Sequence, residues 1–539
     1  MITAAEAMVK CLEQENIQVI FGYPGAAICP FYDALTASNI RHILVRQEQN
    51  AGHAASGYAR LTGRPAVCVA TSGPGATNLI TAIATAYMDS VPMVAITGQV
   101  SSEMLGRDVF QEADITGAVE PFIKHSYLVK DAKSLPRIFK EAFYIAGTGR
   151  PGPVLIDVPV DIQKTGIDFS YPESVDIRSY KPSVKGHVGQ VKKVIEALAA
   201  AKQPVICAGG GVILADAAQE LIELAERCDI PVVHTMMGIG VMPSFHRLSF
   251  GMLGSHGVEA ANYAVNHTDL LILIGARVGD RAVAAPGLLE QRTRIIHIDV
   301  DPAEIGKNLG ANIPIVGDAK VILRQLLEAD IVENHTEWID RLTEKKEAFM
   351  HPAPAQDGRV SPKQFMRMLS AKAAADAVVV ADVGQNQIWT CNYFEMKGQT
   401  RFLTTGGMGT MGYSVPAAVG AKLAAPQRQT LAICGDGSFQ MQMMELGTIC
   451  QHHVPVKIVI MRNNRLGMVR ELQTLQYRDN CTAVFLDGSP DFMTLAEAYG
   501  IPAAHVSSME EAPAAIDAML QAETPYVMVV EIGEGEPTL

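Results

Sequence analysis

At 539 residues, 48% of them apolar and 19% charged, the chain has material for about three or four domains with large cores, which excludes a disordered or fibrous protein. Its formal net charge of −13, with no basic cluster against it, argues against a nucleic-acid partner, and no apolar run reaches bilayer length. The nine cysteines are scattered with no C-x-x-C pair, so reduced core thiols in a cytoplasmic protein are expected, not disulfides or a zinc site.

Residues 1–18 read as an amphipathic helix carrying Glu6, Lys10, Glu13 and Glu15, charges that no signal peptide would hold. Strand signals follow at 43–45, 67–70, 93–97 and 154–158, separated by alanine-rich helical stretches, and make a first block. A polar, proline-bearing stretch at 163–185 leads to a second series at 205–208, 231–234, 270–275 and 295–300, which looks Rossmann-like. A charged helix around Trp338, Leu342 and Phe349 and the linker His351-Pro352-Ala353-Pro354 precede a third block, with strands at 378–381, 430–434, 456–461 and 526–532. This alternation predicts α/β architecture, and the first and third blocks share a rhythm. His452-His453, beside Pro455 at an expected helix end, reads as exposed or dipole-capping.

The densest chemistry lies in the third block. Gly435-Asp436-Gly437-Ser438 follows an apolar run that reads as a buried parallel strand, so Asp436 emerges at its carboxyl end, where open α/β sheets bind ligands. A helix and a second strand later, Asn463-Asn464 reaches the same edge. One carboxylate, one amide oxygen and a main-chain carbonyl, that of Arg465, suit the hard octahedral shell of Mg2+, which phosphates and water complete. Gly435 and Gly437 let the backbone approach a diphosphate, and the helix after Ser438 offers N–H groups. GDG alone is an ordinary strand-turn-helix; with the asparagine pair it points to thiamine diphosphate.

That cofactor gives other residues a meaning. Glu48 follows a strand and precedes the helix of 51–60, where the helix dipole alone would favour it. A carboxyl group hydrogen-bonded to the pyrimidine N1′ promotes the imino tautomer that takes the proton from the thiazolium carbon, and Glu48 suits that role. Two glycine turns, Phe21-Gly22-Tyr23-Pro24-Gly25-Ala26-Ala27 and Thr71-Ser72-Gly73-Pro74-Gly75-Ala76-Thr77-Asn78, each follow a strand signal. Met411, within Gly406 to Gly412, is either a core residue or a wedge beneath the cofactor. Gly209-Gly210-Gly211 after a strand suits a dinucleotide and Asp299 a ribose hydroxyl; the alternative is a cofactor-free spacer.

From Phe21 to Ile532 the chain resembles the catalytic subunits of the thiamine-diphosphate-dependent acetohydroxyacid synthase (acetolactate synthase) family. The motifs are FGYPGAA, RQEQNAGHAASGYAR, ATSGPGATNLIT, FQEAD, GRPGPVLIDVP, GMLGSHG, GARVGDR, DVGQNQIW, GTMGYSVPAAVGA and GDGSF. The resemblance implies three doubly wound parallel-sheet domains: pyrimidine-binding at 1–165, FAD-binding at 186–328 and diphosphate-binding at 360–539. It implies decarboxylation of pyruvate and joining of the remaining two-carbon unit to a second 2-oxo acid, in branched-chain amino acid biosynthesis. Active sites would lie between subunits of a homodimer or homotetramer, with a possible small regulatory subunit.

Residue by residue, Glu48, Gln111 and Met411 match the family's catalytic positions. Tyr23, Pro24, Gly25, Pro74, Gly384, Gln385, Asn386, Gly409, Gly435, Gly437, Ser438 and Met468 match further thiamine diphosphate contacts. Asp436, Asn463 and the Arg465 carbonyl match the Mg2+ ligands. FAD falls to Gly209, Gly210, Thr235, Met236, Leu253, Gly254, His256, Gly275, Arg277, Arg281, Asp299 and Asp318, while Phe110, Lys124, Arg277 and Leu472 match the substrate channel.

The chain departs from the family pattern at Gln47 and Asn386, where His is usual, at Val278-Gly279, where Phe-Asp is usual, and at Leu472, where biosynthetic members carry Trp. The last change predicts a looser pocket for the second substrate. A lid shorter than that of relatives that continue past the position of Leu539 is also expected. A decarboxylase or pyruvate oxidase-like enzyme, or a non-catalytic paralogue, are the alternatives.

Overall fold

Strands buried on both faces explain the near-continuous apolar runs of the sequence. In the computed structural model, which describes residues 1–329, 331–347, 355 and 358–539, the strands form three six-stranded parallel sheets. Across the first sheet lie Arg41–Leu44, Val19–Gly22, Ala66–Ala70, Met93–Gln99, Pro153–Pro159 and His125–Leu128. Across the third lie Arg401–Leu403, Val378–Ala381, Thr430–Gly435, Lys457–Arg462, Tyr526–Glu531 and Ala503–Val506. Numbered along the chain, both run 2-1-3-4-6-5. The middle sheet runs Ser249–Met252, Val232–His234, Pro204–Ala208, Leu270–Ile274, Arg294–Asp299 and Ile313–Val316, the 3-2-1-4-5-6 order of dinucleotide-binding domains.

Five strands are not among those the sequence pattern picks out: His125–Leu128, Ser249–Met252, Ile313–Val316, which Pro314 interrupts, Arg401–Leu403 and Ala503–Val506. Each is a short edge strand, exposed along one side, so its composition need not be apolar. The first helix is shorter than the periodicity predicts and covers Ala4–Gln14. Thr3 and Glu6 cap it reciprocally, and Ile2–Thr3 instead pairs antiparallel with Gly166–Ile167. Helix Thr336–Glu347 buries Trp338 and Leu342 in the central core, whereas Phe349 and the linker at 351–354 lie outside the described residues. All nine cysteines are free thiols, and Cys68, Cys207 and Cys434 are buried. Among the described residues no helix is long and apolar enough to cross a membrane.

In each sheet one pair of neighbouring strands sends its connections to opposite faces, and the crevice at their carboxyl ends is the natural ligand site. In the first sheet this places the turns at 23–27 and 71–75 side by side. In the third it joins residues 382–384 to Gly435 and Asp436, and in the second it joins Gly209 to Gly275. The first and third sheets meet through helices Glu48–Thr62 and Ser414–Ala424, which cross backbone to backbone. A Cβ on Gly57 would overlap the Ala417 carbonyl, and one on Gly420 the Ala54 carbonyl. Gly57→Ala should therefore cost about 1–3 kcal/mol, read as a lowered Tm with unchanged far-UV circular dichroism.

Candidate functional site

The first half of the site is built on the first sheet. Thr71 Oγ1 accepts the Ala27 N–H at 3.3 Å, which locks the two glycine turns together, Tyr23, Pro24 and Gly25 on one and Pro74 on the other. Glu48 is the first residue of its helix and half-buried. Its Oε2 accepts a hydrogen bond from Asn78 Nδ2 at 2.9 Å, and its Oε1 faces Gly75. Gln111 stands at φ +59°, with its backbone pressed on Gly73. A side-chain-bearing residue in the left-handed region costs of order 1 kcal/mol or more and persists where its surroundings impose it. Phe110, just before it, is 86% exposed, an unusual state for an aromatic ring in a single chain.

The second half is built on the third sheet. Asp436 is buried; its Oδ1 accepts the Gly437 N–H at 2.9 Å and its Oδ2 the Asn464 N–H at 2.6 Å and the Asn463 N–H at 3.3 Å. Burial pushes its pKa up to about 6, with those N–H groups opposing the shift. Asn463 Oδ1 accepts the Arg465 N–H, and its Nδ2 donates to Gln385 Oε1 at 3.2 Å. Gln385 Nε2 in turn donates to the Glu536 carbonyl and to Thr538 Oγ1, so residues 536–538 lie across the start of helix Gln385–Tyr393. The buried Asn386, at the usual His position, donates to the carbonyls of Asp382 and Ile433.

Around this clamp, Gly384 and Gly409 hold positive φ, and the Ser438 hydroxyl bridges the N–H and carbonyl of Gly435. The Met411 methyl, with Leu466 and Leu486, surrounds the position a Gly437 side chain would take. Met468 and Leu472 lie on helix Gly467–Gln476, which has no buried residue; Leu472 is 45% exposed.

Among the described residues, helix Glu48–Thr62 meets the Met411 segment some way along from Glu48. The Ser56 hydroxyl lies 2.9 Å from the Tyr413 hydroxyl, two residues past Met411. At about 1.5 Å rise per residue, Glu48 is then about 12 Å further along its helix. Among the described residues no hydrogen bond joins Glu48, Asn78 or Gln111 to Asp436, Asn463 or Met411. What does reach the Glu48 turn is Glu445, whose Oε1 accepts the Arg46 N–H and a bond from Asn50 Nδ2. His452 likewise accepts the Leu44 N–H at 3.0 Å. Burial first, then Arg41 and Arg46, lower its pKa, so the last residue of helix Leu446–His452 also serves as an acceptor between blocks, while the capping His453 is exposed as expected.

A third feature is a cleft of about 840 Å³ above the middle sheet, closed by parts of the other two. Gly210, Thr235, Met236, Leu253, His256, Gly275, Arg277, Arg281, Asp299 and Asp318 line it; Gly209 and Gly254 do not. Gly209 serves close packing instead, since a Cβ there would overlap the Gly275 carbonyl. Burial pushes Asp299 up to about 6. Arg277 donates to the Met88 carbonyl of the first sheet's block. Val278 is buried, while the Gly279 side-chain position is open. Lys124, expected in the substrate channel, donates to Ile145 O, Thr148 O and the Tyr180 hydroxyl. Burial brings its pKa down to about 8.

Fold and site define a thiamine diphosphate enzyme. The N-terminal thiamine pyrophosphate-binding, central and C-terminal thiamine pyrophosphate-binding domain families match residues 2–118, 191–326 and 382–530. The chain is 46% identical over 544 residues to a probable acetolactate synthase large subunit of Methanocaldococcus jannaschii, covering 99% of this chain and 92% of that one. It is 45% identical over 545 residues to the acetolactate synthase large subunit of Corynebacterium glutamicum, covering 99% and 87%. To that of Mycobacterium tuberculosis it is 45% identical over 512 residues, covering 93% and 83%. The chain belongs to the acetolactate synthase large-subunit family.

Gly467 sits where a Cβ would overlap Gln385 Oε1 and press on Asn463 Nδ2. Gly467→Ala should therefore weaken thiamine diphosphate binding by about tenfold or more in a fluorescence titration, with the cofactor-free Tm little changed.

Proposed function

We propose that the reaction runs at a composite site, with Glu48 of one copy of the chain facing the Asp436 clamp of a second. The activity is that of an acetolactate synthase large subunit: one pyruvate loses carbon dioxide, and the remaining two-carbon unit is joined to a second 2-oxo acid in branched-chain amino acid biosynthesis. Thiamine diphosphate, when bound, supplies an acidic ring carbon and an electron sink. Glu48, oriented by Asn78, exchanges a proton at the pyrimidine N1′. Gln111, presented from its strained turn, and Met411 border the reacting end, and Gly384, Gln385 and Ser438 receive the diphosphate.

Asp436, Asn463 and the Arg465 carbonyl would hold Mg2+ and so neutralise the diphosphate. Among the described residues no three His, Cys, Asp or Glu side chains come together for a metal, and this donor set, one carboxylate with neutral oxygens, is the kind Mg2+ takes beside a phosphate. The large cleft fits FAD in size and in its switch-point glycine and buried Asp299. Joining two 2-oxo acids transfers no net electrons, so the flavin there is structural. A leucine at 472 leaves a looser wall than the family's tryptophan, which weakens the preference for 2-oxobutyrate over pyruvate as second substrate. We also take the chain to bind a small subunit, as the relatives' names imply.

Among the described residues no hydrogen bond links Glu48 to the clamp within one chain, and helix Glu48–Thr62 meets the Met411 segment about two turns further on at Ser56; these observations carry the two-copy reading. Glu48→Gln and Asp436→Ala should each lose about 100-fold or more of the carboligation rate. Mixed after reversible dissociation, the two inactive variants should regain roughly a quarter of wild-type activity, because half the pairs carry one intact site. No recovery would place both groups in one chain.

The raised pKa of Asp436 adds a pH dependence. A ligand carboxylate must be ionised, so Mg2+ affinity should be level above about pH 7 and fall about tenfold per unit below about pH 6. A cation titration at fixed thiamine diphosphate reads this directly, and constant affinity down to about pH 5 would remove Asp436 from the ligand set.

A further inference from the structure

Asp382 ends the strand Val378–Ala381 at the carboxyl edge of the third sheet, and its side chain is fully buried. Burying a carboxylate is costly unless fixed donors replace its water. Here Oδ1 accepts the N–H of Gly412 at 2.8 Å and of Val383 at 2.9 Å, and Oδ2 accepts the N–H of Ser414 at 2.8 Å. Gln442 Nε2 lies 3.5 Å from Oδ2 and also donates to the Ser438 carbonyl. Through its main chain Asp382 donates to Ile433 and accepts from Asn386. One residue thus ties together the strand leading to Asp436, the first turn of helix Gln385–Tyr393, the segment beneath Ser438 and the turn that carries Met411.

A negative charge at the start of helix Ser414–Ala424 is favourable in itself, and a helix cap would explain the Ser414 contact. It would not explain Gly412, which lies outside that helix and immediately follows Met411. The bonds to Gly412 and Ser414 bracket Tyr413 and leave the preceding backbone little freedom, while the Met411 methyl sits over Gly437. We propose that Asp382 is a positioning residue for thiamine diphosphate: its carboxylate fixes the Met411 turn against the Gly435–Ser438 cradle. This rests on the reading of Met411 as a cofactor contact.

The test is a double-mutant cycle on the full chain, with thiamine diphosphate and Mg2+ titrated against the fluorescence of Trp389 on helix Gln385–Tyr393, alongside the Tm of the cofactor-free protein and the KM for pyruvate. Asp382→Asn turns one acceptor into a donor facing N–H groups. It should weaken cofactor binding by about tenfold or more with the pyruvate KM changed by no more than about twofold, and Met411→Ala should weaken cofactor binding to a similar extent. The double variant should be no worse than the weaker single. Additive losses would overturn the coupling, and a lowered Tm with unaltered cofactor binding would reduce Asp382 to a helix cap and overturn the proposal. Unaltered binding in Met411→Ala alone would remove the underlying reading of Met411, a different result from additivity. Should Asp382→Asn fail to fold, Gly412→Ala strains the same turn at φ +95° and presses on Gln442; cofactor binding unaffected by that change would equally overturn the proposal.

Discussion

The backbone-to-backbone crossing of helices Glu48–Thr62 and Ser414–Ala424 is the constraint on which the remaining architecture depends. Two glycines remove the side chains that would hold the helices apart, so the first and third sheets are fixed at close range. The crossing sets the Met411 turn beside Ser56 and Tyr413, well along the helix from Glu48. Proximity of the two blocks therefore does not bring their reactive groups together.

The ends of the sheets do the rest. Parallel strands deliver every connection to one edge, and the reversal of strand order opens a crevice there. In the first sheet that crevice receives interlocked glycine turns, in the third a carboxylate and an amide backed by N–H groups, and in the second a cleft walled by all three blocks. Buried carboxylates recur at these edges, at Asp299, Asp382 and Asp436, each held by backbone donors and each pushed up by burial. Such groups are costly to bury, so they mark where the fold has been shaped by something other than its own stability.

Central strands were legible in the sequence because burial on both faces demands apolar runs, and the glycines and carboxylates at their ends were legible as strand-end turns at the carboxyl edge of the sheets. Edge strands were not, since one side faces solvent and composition relaxes. Local pattern also overextended the first helix, which Thr3 and Glu6 cut short. Long-range partners were the least visible. Nothing in DVGQNQIW distinguishes Asp382 from an ordinary strand-end acid until Gly412 and Ser414 lie on it, and Glu445 gains its role only when Arg46 and Asn50 arrive from the far end of the chain. Lys124 and Gly209 likewise have partners no local motif shows: three oxygen acceptors for the one and the Gly275 carbonyl packed on the other.

The shared 2-1-3-4-6-5 order of the first and third sheets has a consequence for descent. An order of that detail, repeated within one chain, is what duplication of an ancestral unit leaves behind. The copies kept one scaffold and diverged at the carboxyl edge, one retaining an acid steadied by an amide, the other an oxygen-rich cradle. Because the two copies pack backbone to backbone, a substitution on the crossing face of either is felt by the other.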